Sequence, residues 1–171
     1  MLKDIKNFLN DRNQKKIILQ YKGKRMNAAC EWWKFRNPIR MIYRGLLNEI
    51  YKKLPPFGLK NSLYRLMGVK IGKDVVISPD VHVDPLFPEL ITIEDGVILG
   101  WGSKISTHEM LKDRIKLGRV LIKKNAVIGA YSLVRPGVTI GENSIVAVSS
   151  LANKDVKRFE VVGGIPIRKI K

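Results

Sequence analysis

Two histidines, each with an acid close by in the sequence, are the side chains of this chain best suited to acid–base chemistry. Glu109 follows His108, and Asp84 comes two residues after His82. A neutral imidazole with a pKa near the working pH can accept a proton from an alcohol while the alcohol attacks a carbonyl carbon. A carboxylate would orient the ring, and adjacent side chains often point apart. The sequence therefore leaves both Asp84 and Glu109 open as the partner of His108.

Disulfide and metal chemistry have little support in the sequence. Cys30 is the only cysteine, so an intrachain disulfide and a cysteine-cluster metal site are excluded. This usage fits a reducing compartment, and we expect Cys30 to be a buried apolar side chain. A zinc site of three histidines, as in the gamma-class carbonic anhydrases, lacks its third histidine. We therefore expect no metal ion.

The element that positions these residues is indicated by aliphatic side chains that recur every six residues. The positions are Ile71, Ile77, Val83, Ile93, Leu99, Ile105, Ile122, Ile128, Val134, Ile140 and Val146. Neither the helical period of 3.6 nor the strand period of 2 keeps one aliphatic side chain per six residues in register. Three six-residue sides would close one triangular coil, and stacked coils would bury the aliphatic column. The pattern predicts a mainly β fold, a parallel β-helix of about four coils over residues 71–171.

Two interruptions of the six-residue spacing locate departures from the coil. The step from Val83 to Ile93 is ten residues and the step from Ile105 to Ile122 is 17 residues. Extra residues therefore leave the coil after Val83 and after Ile105. The second interruption predicts an excursion loop near 107–120, and His108 lies at its start. Long excursions from a rigid repeat commonly carry functional residues.

The repeats, together with three segments, carry a family resemblance. The segments are ISTHE with its histidine, IGAYSLVRPGVTIG and the closing VVGGIPIRKI. Over roughly residues 65–170 the chain resembles the hexapeptide-repeat acyltransferases, and in particular the sugar and serine O-acetyltransferases. The resemblance implies a left-handed parallel β-helix, a homotrimer, and acetyl-CoA as the acyl donor.

The resemblance also implies roles for particular residues. His108 matches the histidine that acts as general base on the acceptor. The residues expected to bind the acceptor are Asp84, Glu109, His82 and Trp101, and packing of Trp101 on a neighbouring subunit stays open. Small residues at a coil corner are expected to bind the pantetheine arm through main-chain groups, and basic residues to bind the phosphates; together these are Gly129, Ala130, Ser132, Arg135, Arg168 and Lys169.

The positive charge is concentrated before the repeats. The net charge is +17, and residues 1–70 hold 17 basic residues against four acids, whereas residues 71–171 hold 15 against 11. Apolar spacing predicts that residues 1–53 are helical and that a short helix follows at 60–66, so residues 1–70 form a basic helical segment. This segment could cap the open end of the β-helix, or residues 1–55 could contact an anionic membrane. Nucleic acid is the less favoured external partner.

We expect a cytoplasmic, trimeric O-acetyltransferase that acts on a hydroxyl of a sugar or saccharide-type acceptor. We expect no secretion signal, because the first residues lack an apolar core followed by a small-residue cleavage site, and the sequence has no uncharged apolar run of about 18 residues. An amino-acid acceptor such as serine stays open, and so does a non-catalytic basic β-helix that binds membrane or nucleic acid.

Overall fold

Helices and one strand precede the repeats in the computed structural model, which describes residues 2–170. These elements are α1 (Leu2–Asn10), β1 (Lys16–Gln20), a 3-10 helix (Ala28–Lys34), α2 (Pro38–Tyr51) and α3 (Gly58–Met67). Asn27 and Asn37 cap the 3-10 helix and α2 through their side chains, and Pro38 begins α2, where its missing amide hydrogen costs no helical bond. Gly68 ends α3 in the left-handed conformation.

Short strands of two to five residues follow. They are β2 (Lys70–Ile71), β3 (Val76–Ile77), β4 (His82–Val83), β5 (Ile91–Ile93), β6 (Ile98–Leu99), β7 (Lys104–Ile105), β8 (His108–Met110), β9 (Arg114–Gly118), β10 (Val120–Ile122), β11 (Val127–Ile128), β12 (Leu133–Val134), β13 (Thr139–Ile140), β14 (Ile145–Val146), β15 (Leu151–Ala152), β16 (Val161–Gly163) and β17 (Arg168–Lys169). A second 3-10 helix, Pro88–Leu90, lies before β5.

Three sheets form the sides of a parallel β-helix, as the six-residue spacing predicted. The first contains β2, β5, β10 and β13, the second β3, β6, β11, β14, β16 and β17, and the third β4, β7, β12 and β15. All neighbours in these sheets are parallel except β16 and β17. In the second sheet Ile77 pairs with Leu99, and Ile128 pairs with both Leu99 and Val146. The aliphatic positions thus stack into one buried column.

Helices α2 and α3 cover the first coil. Tyr51 and Tyr64 contact each other edge to face at 5.8 Å and join the aliphatic column together with Met67. Lys60 is fully buried beside them, and its ammonium group donates to the carbonyls of Leu54 and Ser78, each at 2.9 Å. Burial lowers the pKa of Lys60 to about 8. These contacts close the end of the column against water.

A second apolar cluster joins the start of the chain to the two excursions. Its fully buried members are Ile5, Phe8, Ala28, Phe35, Leu86, Phe87, Leu90, Ile115 and Leu117. Arg119 adds a polar connection, because its guanidinium donates to the carbonyls of Phe8 and Asp11. The segment before α2 therefore packs against the loop at 84–90 and against the second excursion.

The structure differs from the expectation of helix throughout residues 1–53. Residues 16–20 form β1, which pairs antiparallel with β9, so that Lys16 lies opposite Gly118 and Gln20 opposite Arg114. The second excursion is itself a hairpin of β8 and β9. The aliphatic residues of KIILQ favour a strand once a hairpin edge offers backbone partners. Cys30, which we expected to be buried, is exposed.

Of the helices between residues 2 and 170, none combines the length and the apolar character that crossing a bilayer would require.

Candidate active site

Asp84 and His108 meet where the two excursions leave the coil. The Nδ1 atom of His108 lies 2.6 Å from Oδ2 of Asp84. The same oxygen accepts hydrogen bonds at 2.8 Å from the amide and from the hydroxyl of Thr107. Oδ1 accepts from the amide of Leu86 at 2.9 Å. Four donors therefore satisfy a carboxylate that is only 3% exposed, as a buried charge requires.

The repeat brings these residues together from positions 24 apart. Val83 and Ile105 pair in neighbouring strands of the third sheet, so the residues that follow them leave the coil side by side. His108 begins β8 and pairs with Leu117 of β9. The hydroxyl of Ser106 donates to the carbonyl of His108 at 2.9 Å. The main chain at His108 is thus fixed by its pairing with β9 and by the hydrogen bond from Ser106.

The pKa values of the pair favour a charged carboxylate and a basic imidazole. Burial raises the pKa of Asp84, but the hydrogen bonds from His108 and Thr107 outweigh burial and hold the pKa below its ordinary value. Burial lowers the pKa of His108, whereas the hydrogen bond and the negative charge of Asp84 raise it, and the net pKa lies above its ordinary value. Each partner therefore stabilises the charged form of the other.

The arrangement assigns the tautomer of His108. Because ionised Asp84 can only accept hydrogen bonds, Nδ1 of His108 carries the hydrogen and donates it. The basic nitrogen is then Nε2, which makes no hydrogen bond with residues 2–170 in a side chain that is 27% exposed. Phe87 contacts the ring edge to face, with 6.4 Å between ring centres. The site can take a proton at Nε2 and hold the resulting imidazolium beside Asp84.

Glu109 is directed away from His108. Its carboxylate forms a two-point ion pair with Arg135, with distances of 2.6 and 3.0 Å, and lies 3.5 Å from Nζ of Lys116. The hydrogen bond from Arg135 lowers the pKa of Glu109. Asp84, not Glu109, is thus the carboxylate that orients the histidine. Arg135, which we expected to meet a phosphate group, forms this ion pair in the single chain, and its contact with the donor stays a prediction.

The other two residues expected to bind the acceptor are His82 and Trp101, and their role stays a prediction. His82 faces α2, with its Nδ1 3.2 Å from Nδ2 of Asn48, and burial lowers its pKa. Trp101 projects outward, with 48% exposure, from the corner between β6 and β7. Neither residue makes a direct contact with the Asp84–His108 pair.

The small residues expected to bind the donor occupy a stacked coil corner. A Cβ on Gly129 would lie 2.5 Å from the amide nitrogen of Val148, so glycine lets the next coil approach. Ser132 is fully buried, and its hydroxyl joins the coils by donating to Ala147 and accepting from Ser150. Its hydroxyl is therefore committed to contacts between coils, and donor binding by the main chain of Ser132 stays a prediction.

The remaining residues expected to bind the donor are Ala130, Arg168 and Lys169. Within residues 2–170 the amide of Ala130 has no hydrogen-bond acceptor, although its carbonyl accepts from Ser149 at 2.8 Å. Arg168 and Lys169 lie exposed on β17 at the end of the second sheet. Their contact with the donor stays a prediction.

Residues that sequence reasoning missed support the site. Thr107 supplies two of the four hydrogen bonds to Asp84. Its position immediately before His108 was the only feature of the sequence that could have indicated this role. Arg36 was missed because it lies far away in sequence. It pairs with Glu89, donates to the carbonyl of Leu86 at 3.2 Å, and lies 4.9 Å above the Phe87 ring.

In the described part of the chain, residues 2–170, no three His, Cys, Asp or Glu side chains are grouped so that they could hold a metal ion.

Comparison with known proteins finds the repeat in a recognised family. Residues 119–150 match the family described as bacterial transferase hexapeptide (six repeats). The protein YvoF of Bacillus subtilis (strain 168), whose name assigns it provisionally to the acetyltransferases, is 35% identical over 133 residues. That alignment covers 77% of this chain and 77% of YvoF.

Two solved structures share the fold. The hexapeptide-repeat acetyltransferase VCA0836 of Vibrio cholerae O1 biovar eltor, complexed with acetyl coenzyme A, has a TM-score of 0.64 and 24% identity. A maltose O-acetyltransferase of Clostridium difficile 630 has a TM-score of 0.57 and 24% identity. Each likeness covers 78% of this chain and 86% of the solved chain. The fold is the left-handed parallel β-helix that the resemblance implied. The stacked repeat and the 35% identity over most of both sequences show that the chain belongs to the hexapeptide-repeat acyltransferases.

Proposed function

We propose that the protein transfers an acetyl group from acetyl-CoA to a hydroxyl of a sugar or saccharide-type acceptor, with His108 as the general base. The observation that carries this proposal is the bond from Nδ1 of His108 to buried Asp84, which leaves Nε2 open to an acceptor. A hydroxyl is a weak nucleophile at neutral pH, so its reaction with a thioester gains from a base placed in this way.

The mechanism follows from the tautomer of His108. Nε2 takes the hydroxyl proton while the acceptor oxygen attacks the thioester carbonyl carbon and forms a tetrahedral intermediate. The carbon–sulfur bond then breaks, and the imidazolium returns the proton to the departing sulfur, so the products are an acetyl ester and coenzyme A with a free thiol. Asp84 holds the ring in the productive orientation and stabilises the imidazolium, as the carboxylate of a catalytic triad does.

The identity of the donor and the class of acceptor are supported by the related proteins. VCA0836 was solved with acetyl coenzyme A, and the protein from Clostridium difficile is described as a maltose O-acetyltransferase. In this chain the exposed cations Arg168 and Lys169 could bind the phosphate groups of coenzyme A, and the free amide of Ala130 could bind the pantetheine arm.

We also propose that the protein is a homotrimer. The outer face of the second sheet presents a row of aliphatic side chains, at Val76, Ile98, Val127, Ile145 and Val161. Val76, Ile98 and Ile145 are each more than a third exposed in the single chain. A contiguous apolar surface of this kind marks an interaction site in a soluble protein, and the groove between neighbouring copies would hold the donor.

The protein is further proposed to act in the cytoplasm and to contact an anionic membrane surface. The concentration of positive charge in residues 1–70 supports this contact.

The test of the transfer reaction is release of free thiol from acetyl-CoA with a panel of sugars and amino acids. The variant His108→Ala should lose about 10²- to 10⁴-fold of the turnover, the usual contribution of a general base. Coenzyme A at 100 times its Kd should still stabilise the variant by about 2.7 kcal/mol in thermal melting. The exposed Arg114 on the same hairpin provides a control, and Arg114→Ala should keep its turnover. Turnover retained without His108, or a melting temperature unaffected by millimolar coenzyme A, contradicts the proposal.

A further inference from the structure

Helix α2 presents an aliphatic face to solvent, while its inner side contains both polar and apolar residues. The side chains buried on the body are Arg44, Asn48 and Tyr51. The side chains that are each more than half exposed are Ile39, Ile42, Tyr43, Leu46 and Ile50. Their spacing of three, four and seven residues places them on one side of the helix. An ordinary surface helix presents charged and polar side chains to solvent, so an apolar outer face indicates contact with an apolar partner.

The contacts of the inner side explain why α2 is fixed in this orientation. Asn48 meets His82 of the first coil, and Arg44 lies 3.5 Å from Glu89 in the first excursion. Tyr51 packs on Tyr64. Rotating the aliphatic side inward would break these contacts at three points. The outer face therefore stays exposed because the inner face is committed to the body of the protein.

A groove of about 200 Å³ runs beside the outer face, between α2 and α3. It is lined by Arg40, Tyr43, Arg44, Leu47, Tyr51, Leu66 and Met67, and none of these is acidic. Leu66 is 83% exposed and extends the apolar surface onto α3. Burial, followed by the nearby charges of Arg40 and Arg36, lowers the pKa of Arg44 to about 10, so Arg44 stays charged at neutral pH. The apolar face thus lies next to two cations, Arg40 and Arg44, of which Arg44 is paired with Glu89.

The charge around α2 identifies the occupant of this face. Residues 38–70 contain seven basic side chains and one acid, Glu49, which is paired with Lys52. A second copy of the same surface would bring like charges together, which costs free energy. An anionic bilayer offers the complement, with acyl chains for the aliphatic residues and phosphate headgroups for exposed cations such as Arg40. The 14 residues of α2 extend about 21 Å, which suits a helix lying in the plane of the membrane.

We infer that the outer face of α2, with Leu66 beside it, docks the protein on an anionic lipid surface. The inference rests on the proposed membrane contact and is independent of acetyl transfer. It differs from the sequence-based expectation by assigning the contact to one helix face and its groove, not to the basic charge of residues 1–55 as a whole.

The test is co-sedimentation of the full-length protein with vesicles, at low ionic strength. One set contains equal parts of phosphatidylglycerol and phosphatidylcholine, and the other contains phosphatidylcholine alone. We expect binding to the anionic set and at least about tenfold weaker partitioning for the double variant Ile42→Glu with Leu46→Glu, which loses two inserted aliphatic side chains. Ile18 is similarly exposed on β1, within the basic segment, so Ile18→Glu is the matched control and should bind like the unmodified protein.

Each outcome supports or overturns part of the inference. If the unmodified protein ignores anionic vesicles, the membrane contact itself is wrong. If it binds and the double variant binds equally well, or if Ile18→Glu loses binding to the same extent, α2 is not the docking surface. A change of mass in solution caused by the double variant, without vesicle binding by the unmodified protein, would assign the face to a contact between copies. Thermal stabilisation by coenzyme A, measured on every variant, separates these results from failure of the donor site or of folding.

Discussion

At the scale of single residues, the site depends on which carboxylate faces His108. Asp84 accepts from Nδ1 of the ring and is itself held by Thr107 and Leu86, whereas Glu109 is held by Arg135. Both acids are near His108 in the folded chain, but only Asp84 can set its tautomer. The bond that keeps Asp84 ionised also makes Nε2 a stronger base.

The pH dependence of activity should follow the pKa of His108, which Asp84 raises. A general base must be neutral to accept a proton, so kcat/KM should rise with pH through the pKa of His108, with a midpoint above about 6.5, the ordinary histidine value. Asp84→Asn removes the hydrogen bond and the negative charge that raise this pKa. We expect the midpoint to move to lower pH and the plateau rate to fall at least about tenfold, or about 1.4 kcal/mol.

Glu109→Gln is the matched control for that profile. The charge of Glu109 is the weakest of the influences on the pKa of His108, so the midpoint should move less than in Asp84→Asn. Equal movement of the two midpoints would show that Asp84 has no special role as the partner of the histidine.

At the scale of elements, the segment before α2 supports the excursions that carry the site. Strand β1 completes a three-stranded sheet with β9 and β8, and α1 shares an apolar cluster with the loop at 84–90. Arg36 contacts that loop at three points, through Leu86, Phe87 and Glu89. Because Phe87 touches the ring of His108 and the Leu86 amide binds Asp84, we propose that Arg36 is a positioning residue for the Asp84–His108 pair.

Replacing Arg36 tests this support. Arg36→Met keeps an aliphatic stem but removes the guanidinium, and we expect kcat to fall about tenfold, or about 1.4 kcal/mol, with the stabilisation by coenzyme A unchanged. Arg36→Lys keeps the charge but not the planar group with its several donors, so it should restore the activity only in part. A lower melting temperature with unchanged kcat would instead mean that Arg36 serves stability alone.

At the scale of the whole molecule, two exposed apolar surfaces have different surroundings. The row on the second sheet belongs to the repeat domain, whose charge is nearly balanced, whereas the outer face of α2 lies in the segment that carries most of the positive charge. Contact between copies is favourable where charge is low, and contact with an anionic surface is favourable where positive charge is high. The distribution of charge thus supports assigning the two surfaces to different partners.

Substitution on the second sheet tests the proposed trimer. Ile98 lies between Val76 and Val127 on the outer face, so a glutamate there would bury an unpaired charge in a contact between copies. We expect Ile98→Glu to convert a species of three times the chain mass into single chains, as measured by sedimentation velocity. Thr92→Glu on the outer face of the first sheet is the control and should stay trimeric. A single-chain mass for the unmodified protein, or a trimer that survives Ile98→Glu, contradicts the assignment.

The repeat, and therefore the β-helix, could be predicted from the sequence because its signal is local. Each aliphatic residue is placed by its six-residue spacing, and the two interruptions after Val83 and Ile105 located the excursions without knowledge of distant contacts. Only the tertiary structure decided that Asp84, not Glu109, partners His108, and that residues 16–20 form a strand on a hairpin about 100 residues away. Only the structure showed that α2 turns its aliphatic side outward. These outcomes depend on contacts between segments far apart in sequence, which compete with local preference and leave no periodic signal to read.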